Sequence, residues 1–282
     1  MQPDLLFTRT ANPLWYFSYL LRKRRKNLLE YKQMKELQLI LRTKSVETYF
    51  QPLVALNTGN TVGYEVFNRP VASSLFPTTE TFYDFVGQTD LIFSLENTFR
   101  EISLSRFSKC VQLQPSEKAA LLFLNVHPHI LMDPHYRTGE TLKMLKGHGF
   151  SPEQIIFEIS EKAAIENYSH FENILTNYRS QGFRIALDDA GSGYNSLKTL
   201  VYLKPEFLKL DKTVIQNIDQ DQTKQQLVKL LLNFSNESNT HLIAEGIERE
   251  EELLYLKQHG IHIGQGYALG KPKQELVKGV MR

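Results

Sequence analysis

The chain has 282 residues, 41% hydrophobic, 23% charged and 11% aromatic, which is ordinary for a soluble globular protein with one large core. Its single cysteine, Cys110, excludes an internal disulfide; it reads as a small buried side chain, and a reducing, cytoplasmic setting fits. The net charge of +2 hides an asymmetry, since residues 1–45 carry ten Lys or Arg against three acids, while the remainder carries 23 basic and 28 acidic residues.

Residues 1–45 form an N-terminal extension distinct from the rest of the chain. Leu14–Leu21 is an apolar, aromatic stretch of eight residues, too short to span a bilayer, which needs about 20. Arg22-Lys-Arg-Arg-Lys26 comes directly after it, the reverse of the charge order in a secretory signal. Leu28, Tyr31, Lys35, Leu39 and Arg42 then recur at helical spacing and predict a helix over 27–42. The plain expectation is a solvated basic helix whose aromatic end packs on the body of the protein. Peripheral contact of residues 14–26 with an anionic membrane, or with a partner protein, is the alternative.

From Tyr49 the pattern becomes regular. Tyr49–Leu56 and Thr61–Phe67 are short strands joined by Asn57-Thr-Gly-Asn60, a hairpin turn. A helical stretch is predicted at 91–108. Strands at 120–125, 154–159, 184–188, 206–210 and 241–245 then alternate with helices at 138–148, 166–181, 195–203, 222–238 and 249–259. Alternation of this kind predicts an α/β fold: a TIM-like (β/α)8 barrel over residues 46–282 whose first strand pair is antiparallel.

Each apolar run closes on a polar residue. The strand ends carry Glu65, Asn125, Glu158, Asp188, Lys209, Glu245 and Gln265, and barrel chemistry sits at the C-terminal ends of strands. Five carboxylates converging on one mouth, counting Asp189, repel one another unless protonated or holding cations. An all-oxygen donor set without Cys or His suits Mg²⁺ or Mn²⁺. Two such ions about 3.5–4 Å apart recur in phosphodiester cleavage, and the adjacent Asp188 and Asp189 suit a shared pair. Lys209 would add a fixed positive charge near the attacking water or a phosphoryl oxygen. His127 and His129 lack a matching third ligand and read as loop histidines.

These motifs, in this order, resemble the EAL-domain family of cyclic di-GMP phosphodiesterases over residues 47–272. The resemblance is carried by Glu65-Val-Phe-Asn-Arg69, Leu124-Asn125-Val-His-Pro128, Glu158-Ile-Ser-Glu161, Asp188-Asp189-Ala190-Gly-Ser-Gly-Tyr194, Leu208-Lys209-Leu-Asp211, Glu245, Glu248 and Gln265-Gly-Tyr267. It implies metal-dependent hydrolysis of cyclic di-GMP to linear pGpG, with Glu65, Asn125, Glu158 and Asp188 at one ion and Asp188, Asp189 and Glu245 at the second. It further implies that Lys209 assists the attacking water, that Arg69 meets a substrate phosphate and that Gln265 lies near water or substrate. Glu161 would anchor the loop after the fifth barrel strand, Glu248 would brace the site, and the protein would be a homodimer. No nucleic-acid partner is expected, because the barrel portion is acidic. No diguanylate-cyclase motif is present and no recognisable sensory domain fits in 45 residues, so regulation by a fused input domain is not expected.

Three departures from the family pattern set up an alternative. Val66 and Phe67 replace Ala and Leu after Glu65, and Ala190 replaces a common Phe. Extra bulk at Val66 would crowd the barrel mouth, and the loss of a Phe would loosen the loop after Asp189. A receptor that binds cyclic di-GMP with little or no turnover and signals through a partner is the competing expectation.

Overall fold

The structure is a computed structural model that describes residues 13–127, 139–160, 168–191 and 196–281. It begins with one continuous helix, α1 (Pro13–Thr43), and then the hairpin β1 (Val46–Ala55) and β2 (Thr61–Pro70). Two helices come next, α2 (Thr79–Val86) and α3 (Ile92–Leu113). The remaining strands are β3 (Leu121–Asn125), β4 (Ile155–Ser160), β5 (Arg184–Ala190), β6 (Phe207–Leu210), β7 (His241–Ala244) and β8 (Ile263–Gly264). Between them run α4 (Glu140–His148), α5 (Tyr168–Ser180), α6 (Ser196–Leu203), the short α7 (Lys212–Ile215), α8 (Gln222–Ser238) and α9 (Glu250–Gln258). No helix among the described residues is long and apolar enough to cross a membrane.

The eight strands close into a barrel in sequence order. β1 runs antiparallel to both β2 and β8, whereas every other neighbouring pair is parallel. The expected TIM-like barrel with an antiparallel first pair is therefore observed. A tight hairpin turn cannot reverse a chain and leave its strands parallel, so the Asn57–Asn60 turn dictates this departure from (β/α)8.

Side chains alternate across a strand, so every second residue points into the barrel. Leu53, Phe123, Ile156, Ala186, Phe207, Ile243 and Ile263 form one buried layer in the barrel interior. Two residues further towards the mouth, the same strands present Gln51, Asn125, Glu158, Asp188, Lys209, Glu245 and Gln265. An apolar floor thus lies directly beneath the polar residues. The larger core packs the outer strand faces against the surrounding helices.

Several sequence expectations require correction. Glu65 does not end its strand; it lies in the middle of β2, opposite Gln51 of β1. The helix predicted over 27–42 extends back to Pro13, and its aromatic end does not pack on the barrel, since Tyr16, Phe17 and Tyr19 are exposed. The buried face also differs from the one the spacing marks. Leu28, Tyr31 and Leu39 face solvent, while Leu37 and Ile40 join a cluster with Phe76, Phe82, Val86, Leu95 and Phe99. α2 is an addition to the predicted elements; an eight-residue helix gives a short periodic signal. Cys110 is half-buried, its Sγ near the Gln274 carbonyl at 3.8 Å.

Ala190 ends β5, pairs with Leu210 and is fully packed in the core. A larger side chain there has to displace the core residues packed around it. We predict that Ala190→Phe lowers stability by about 1–3 kcal/mol, read by chemical denaturation, as overpacking does.

His262 supplies a pH-sensitive tie at the strand ends remote from the polar ring. Its Nδ1 accepts the Leu242 N–H at 2.9 Å, so Nε2 carries the proton and donates to Asn236 Oδ1 at 3.0 Å. Burial, then the neighbouring His241, hold its imidazole below the ordinary value of 6.5. Burial, then Arg184, do the same for His241. The unfolded chain therefore takes up protons before the folded one does. Stability is full above the ordinary value and is lost as pH falls through the folded values. Thermal melts between about pH 7.5 and 5.5 should show this loss, and His262→Gln should reduce it.

Candidate active site

The polar layer above the apolar floor is organised around one ammonium group. Lys209, 1% exposed, projects inward from β6. Its Nζ lies 2.6 Å from Glu158 Oε1 on β4, 2.6 Å from Glu245 Oε1 just past β7, 3.2 Å from Glu65 Oε2 on β2 and 3.4 Å from Asp188 Oδ1 on β5. Four acids read separately along the sequence are thus brought to one point. Burial alone would depress the Lys209 ammonium, yet these four carboxylates hold it well above its ordinary range.

The carboxylates differ. Burial pushes Glu65 up, but the Lys209 charge and hydrogen bonds from Gln265 and Asn125 bring it below the usual carboxylate range. Gln265 Nε2 donates to Glu65 Oε2 at 2.7 Å, and Asn125 Nδ2 donates to Oε1 at 3.2 Å. Glu158 goes the other way: burial and the nearby Glu65 hold it well above the usual range. Glu245 is pushed up to about 8, first by burial. Both Glu158 oxygens are buried without a hydrogen bond, so the short approach of Lys209 is an ionic contact rather than an aligned bond.

Asp188 and Asp189 sit at the mouth, and Asp189 takes a left-handed backbone conformation, φ 59°. The Asp189 N–H donates to Asp188 Oδ1 at 3.0 Å, which fixes the direction of the Asp188 carboxylate. Arg69 is exposed on β2, its guanidinium 4.9 Å from the Tyr49 ring centre. Glu248 is exposed, and its contact runs from its backbone N–H to Glu252 Oε2 at 3.1 Å. The bracing carboxylate of that loop is Glu252, buried and also accepting the N–H groups of Arg249 and Asn217. Glu161 and His129 lie outside the described residues.

Sequence reasoning overlooks Gln51. It is buried on β1, its Oε1 accepting from Gln265 Nε2 at 3.3 Å and its Nε2 donating to the Gly270 carbonyl at 3.0 Å. The available signal is an amide in an otherwise apolar strand, placed by the hairpin register opposite Glu65. Gly266 supports the same corner, for a Cβ there would lie 2.2 Å from the Ile247 carbonyl oxygen. Only glycine allows that approach.

A cavity of about 600 Å³ opens beside the carboxylates. Asn125, Glu158, Asp188 and Asp189 line one end, Val66, Phe67 and Arg69 the side, and Tyr83, Glu96, Phe99 and Arg100 from α2 and α3 the far wall. Glu96 is also unforeseen. It is buried, its Oε1 accepting the His127 N–H at 3.2 Å and its Oε2 lying 3.5 Å from Arg100. It thereby ties the turn after Asn125, through the His127 backbone, to α3.

Five carboxylates and one lysine leave four negative charges if all the acids ionise, which is the charge of two divalent cations. The donor set is all oxygen, and Glu158 has buried oxygens without hydrogen bonds, so these residues fit hard divalent ions in chemistry and charge. Among the described residues no group of three or more acids or histidines is arranged to take an ion as it stands, because Lys209 holds the centre.

The family model of the EAL domain matches residues 34–272. The chain is 27% identical over 249 residues to the probable cyclic di-GMP phosphodiesterase PdeD of Escherichia coli K12, covering 84% of this chain and 43% of PdeD. It is 29% identical over 234 residues to the cyclic di-GMP phosphodiesterase RocR of Pseudomonas aeruginosa, covering 81% of this chain and 58% of RocR. The chain thus spans about half the length of these curated relatives. Among solved structures it is similar to a standalone versatile EAL protein from Vibrio cholerae O395 in its c-di-GMP-bound form. That match has a TM-score of 0.71 at 28% identity, covering 83% of this chain and 95% of the other.

Removing the central charge tests this electrostatic reading. Lys209→Met should lower the stability of the metal-free protein by about 3–5 kcal/mol, the cost of leaving buried carboxylates without their partner. Gln51→Leu should cost less, about 1–3 kcal/mol, by leaving the Gly270 carbonyl and the Gln265 amide unmatched. Urea titration of both variants checks the order.

Proposed function

The chain belongs to the EAL-domain family, and we propose that it hydrolyses one phosphodiester bond of cyclic di-GMP to give linear pGpG, in a reaction dependent on Mg²⁺ or Mn²⁺. The observation that carries this reading is the convergence of Glu65, Glu158, Asp188 and Glu245 on buried Lys209 beside a ligand-sized cavity. A structural salt-bridge network would not need uncompensated negative charge opening onto such a cavity.

Glu65, Asn125, Glu158 and Asp188 would hold one divalent cation, and Asp188, Asp189 and Glu245 a second. Bound there, the cations would lower the pKa of water and neutralise charge on the phosphoryl oxygens. The remaining work falls to the chain itself. Gln265 and Asn125 hold the Glu65 carboxylate by both oxygens, so that it keeps one orientation. Lys209 provides a fixed charge that does not reorganise as the reaction proceeds. Arg69, on the cavity side and stacked on Tyr49, has the planar fork suited to a non-reacting phosphate. Water delivers its hydroxyl to phosphorus and its proton to the leaving 3′ oxygen, so that a 5′-phosphate and a 3′-hydroxyl result.

The receptor reading has one observation in its favour: Val66 and Phe67, which stand where the family pattern has Ala and Leu, both line the cavity. The assay that separates the two readings is incubation with cyclic di-GMP and Mg²⁺ or Mn²⁺, following pGpG by chromatography. Product that forms with metal, stops with chelator and disappears in Glu65→Ala and Asp188→Ala is the expected result. Tight binding of cyclic di-GMP without product would overturn hydrolysis and favour the receptor.

A further inference from the structure

From Tyr16 onward the outer half of α1 faces solvent. Residues 16–30 are exposed apart from half-buried Ser18, over about 22 Å of helix, and packing onto the body begins only beyond Tyr31. Most helices are stabilised by burying one face, and this segment buries none. Its side chains are sorted along the axis rather than around it. At 100° per residue, Tyr16, Phe17, Tyr19, Leu20 and Leu21 spread over about 200° of the helix at its outer end, with Phe17 61% exposed. Arg22-Lys-Arg-Arg-Lys26 then forms a band of cations in the next turn and a half.

We propose that this half of α1 docks the protein on an anionic lipid surface. An apolar arc of about 200° is wider than the stripe of roughly 100° that one groove or one neighbouring helix meets. It can be covered by entering an apolar layer. The cationic band behind it falls at headgroup level, where lysine and arginine reach phosphate and aromatic rings favour the interface. Charge complementarity selects the anionic surface, each cation near it contributing about a fivefold gain in partitioning. The acidic body is repelled by the same surface, so the two charge regions orient the barrel away from the lipid. A second copy of α1 packed alongside in parallel would set five cations against five. A nucleic acid would match the cations but leave the aromatic block in water.

Full-length protein is mixed with vesicles of phosphatidylcholine, with and without phosphatidylglycerol, and binding is read by cosedimentation. The expected result is binding to the phosphatidylglycerol vesicles that weakens with salt. Arg24→Gln combined with Arg25→Gln should weaken it about 25-fold, two fivefold steps. Phe17→Ser combined with Leu21→Ser should abolish retention by the same vesicles. All four positions are exposed, so circular dichroism should report unchanged folding in both variants. Binding that is absent, equal on pure phosphatidylcholine or indifferent to both variants overturns the proposal. So does an α1-dependent dimer, or retention by DNA, without vesicle binding.

Discussion

The interaction on which the barrel depends is the contact between the Lys209 ammonium and the carboxylates of Glu65, Glu158, Asp188 and Glu245. Burying any one of these groups alone would cost several kcal/mol. Placed together they offset one another, and because they come from β2, β4, β5, β6 and the end of β7, the offset requires a closed barrel. The balance is also incomplete, for the acids outnumber the cation. The protein therefore holds a concentration of negative charge at its mouth, with an apolar floor of Phe123, Ile156, Ala186, Phe207, Ile243 and Ile263 beneath it. Low surrounding polarity strengthens every charge placed there.

Around this centre the supporting bonds are directional. Gln51, Gln265 and Asn125 set the Glu65 carboxylate, the Asp189 N–H sets Asp188, and Glu96 sets the turn after Asn125. The antiparallel β1 is part of this arrangement, because its reversed course brings Gln51 level with Glu65 and next to Gln265. α2 and α3 extend the mouth into a cavity walled by aromatic and charged groups.

α1 belongs to this system through packing. Its inner half shares a cluster with Phe82 and Phe99, and Phe99 also lines the cavity. The helix is thus solvent-facing at one end and coupled to the site wall at the other. Its sorting of apolar and basic residues along the axis is a property of the primary structure. That the apolar end stands clear of the barrel is not.

Much of the barrel is legible in the sequence, because a parallel strand buried on both faces writes itself as an apolar run. Its inward residue near the mouth is the one place where a polar side chain survives. Glu158, Asp188, Lys209 and Glu245 are readable for that reason, as is the hairpin that reverses β1. The family motifs add order and specificity to the set. The features that the chain alone leaves open depend on contacts between distant residues. Leu28 and Leu37 carry the same hydropathy, and only the position of α3 and Phe76 decides which is covered. Gln51 looks like any amide in a strand until the hairpin register sets it against Glu65 and Gln265. Glu252 and Glu248 are four residues apart with the same side chain, yet Glu252 is buried and accepts the loop's N–H groups while Glu248 faces water. Local pattern determined which segments are strands and which residues stand at their ends. Burial and hydrogen bonding between segments, which no single stretch of sequence encodes, decided which of those residues act together.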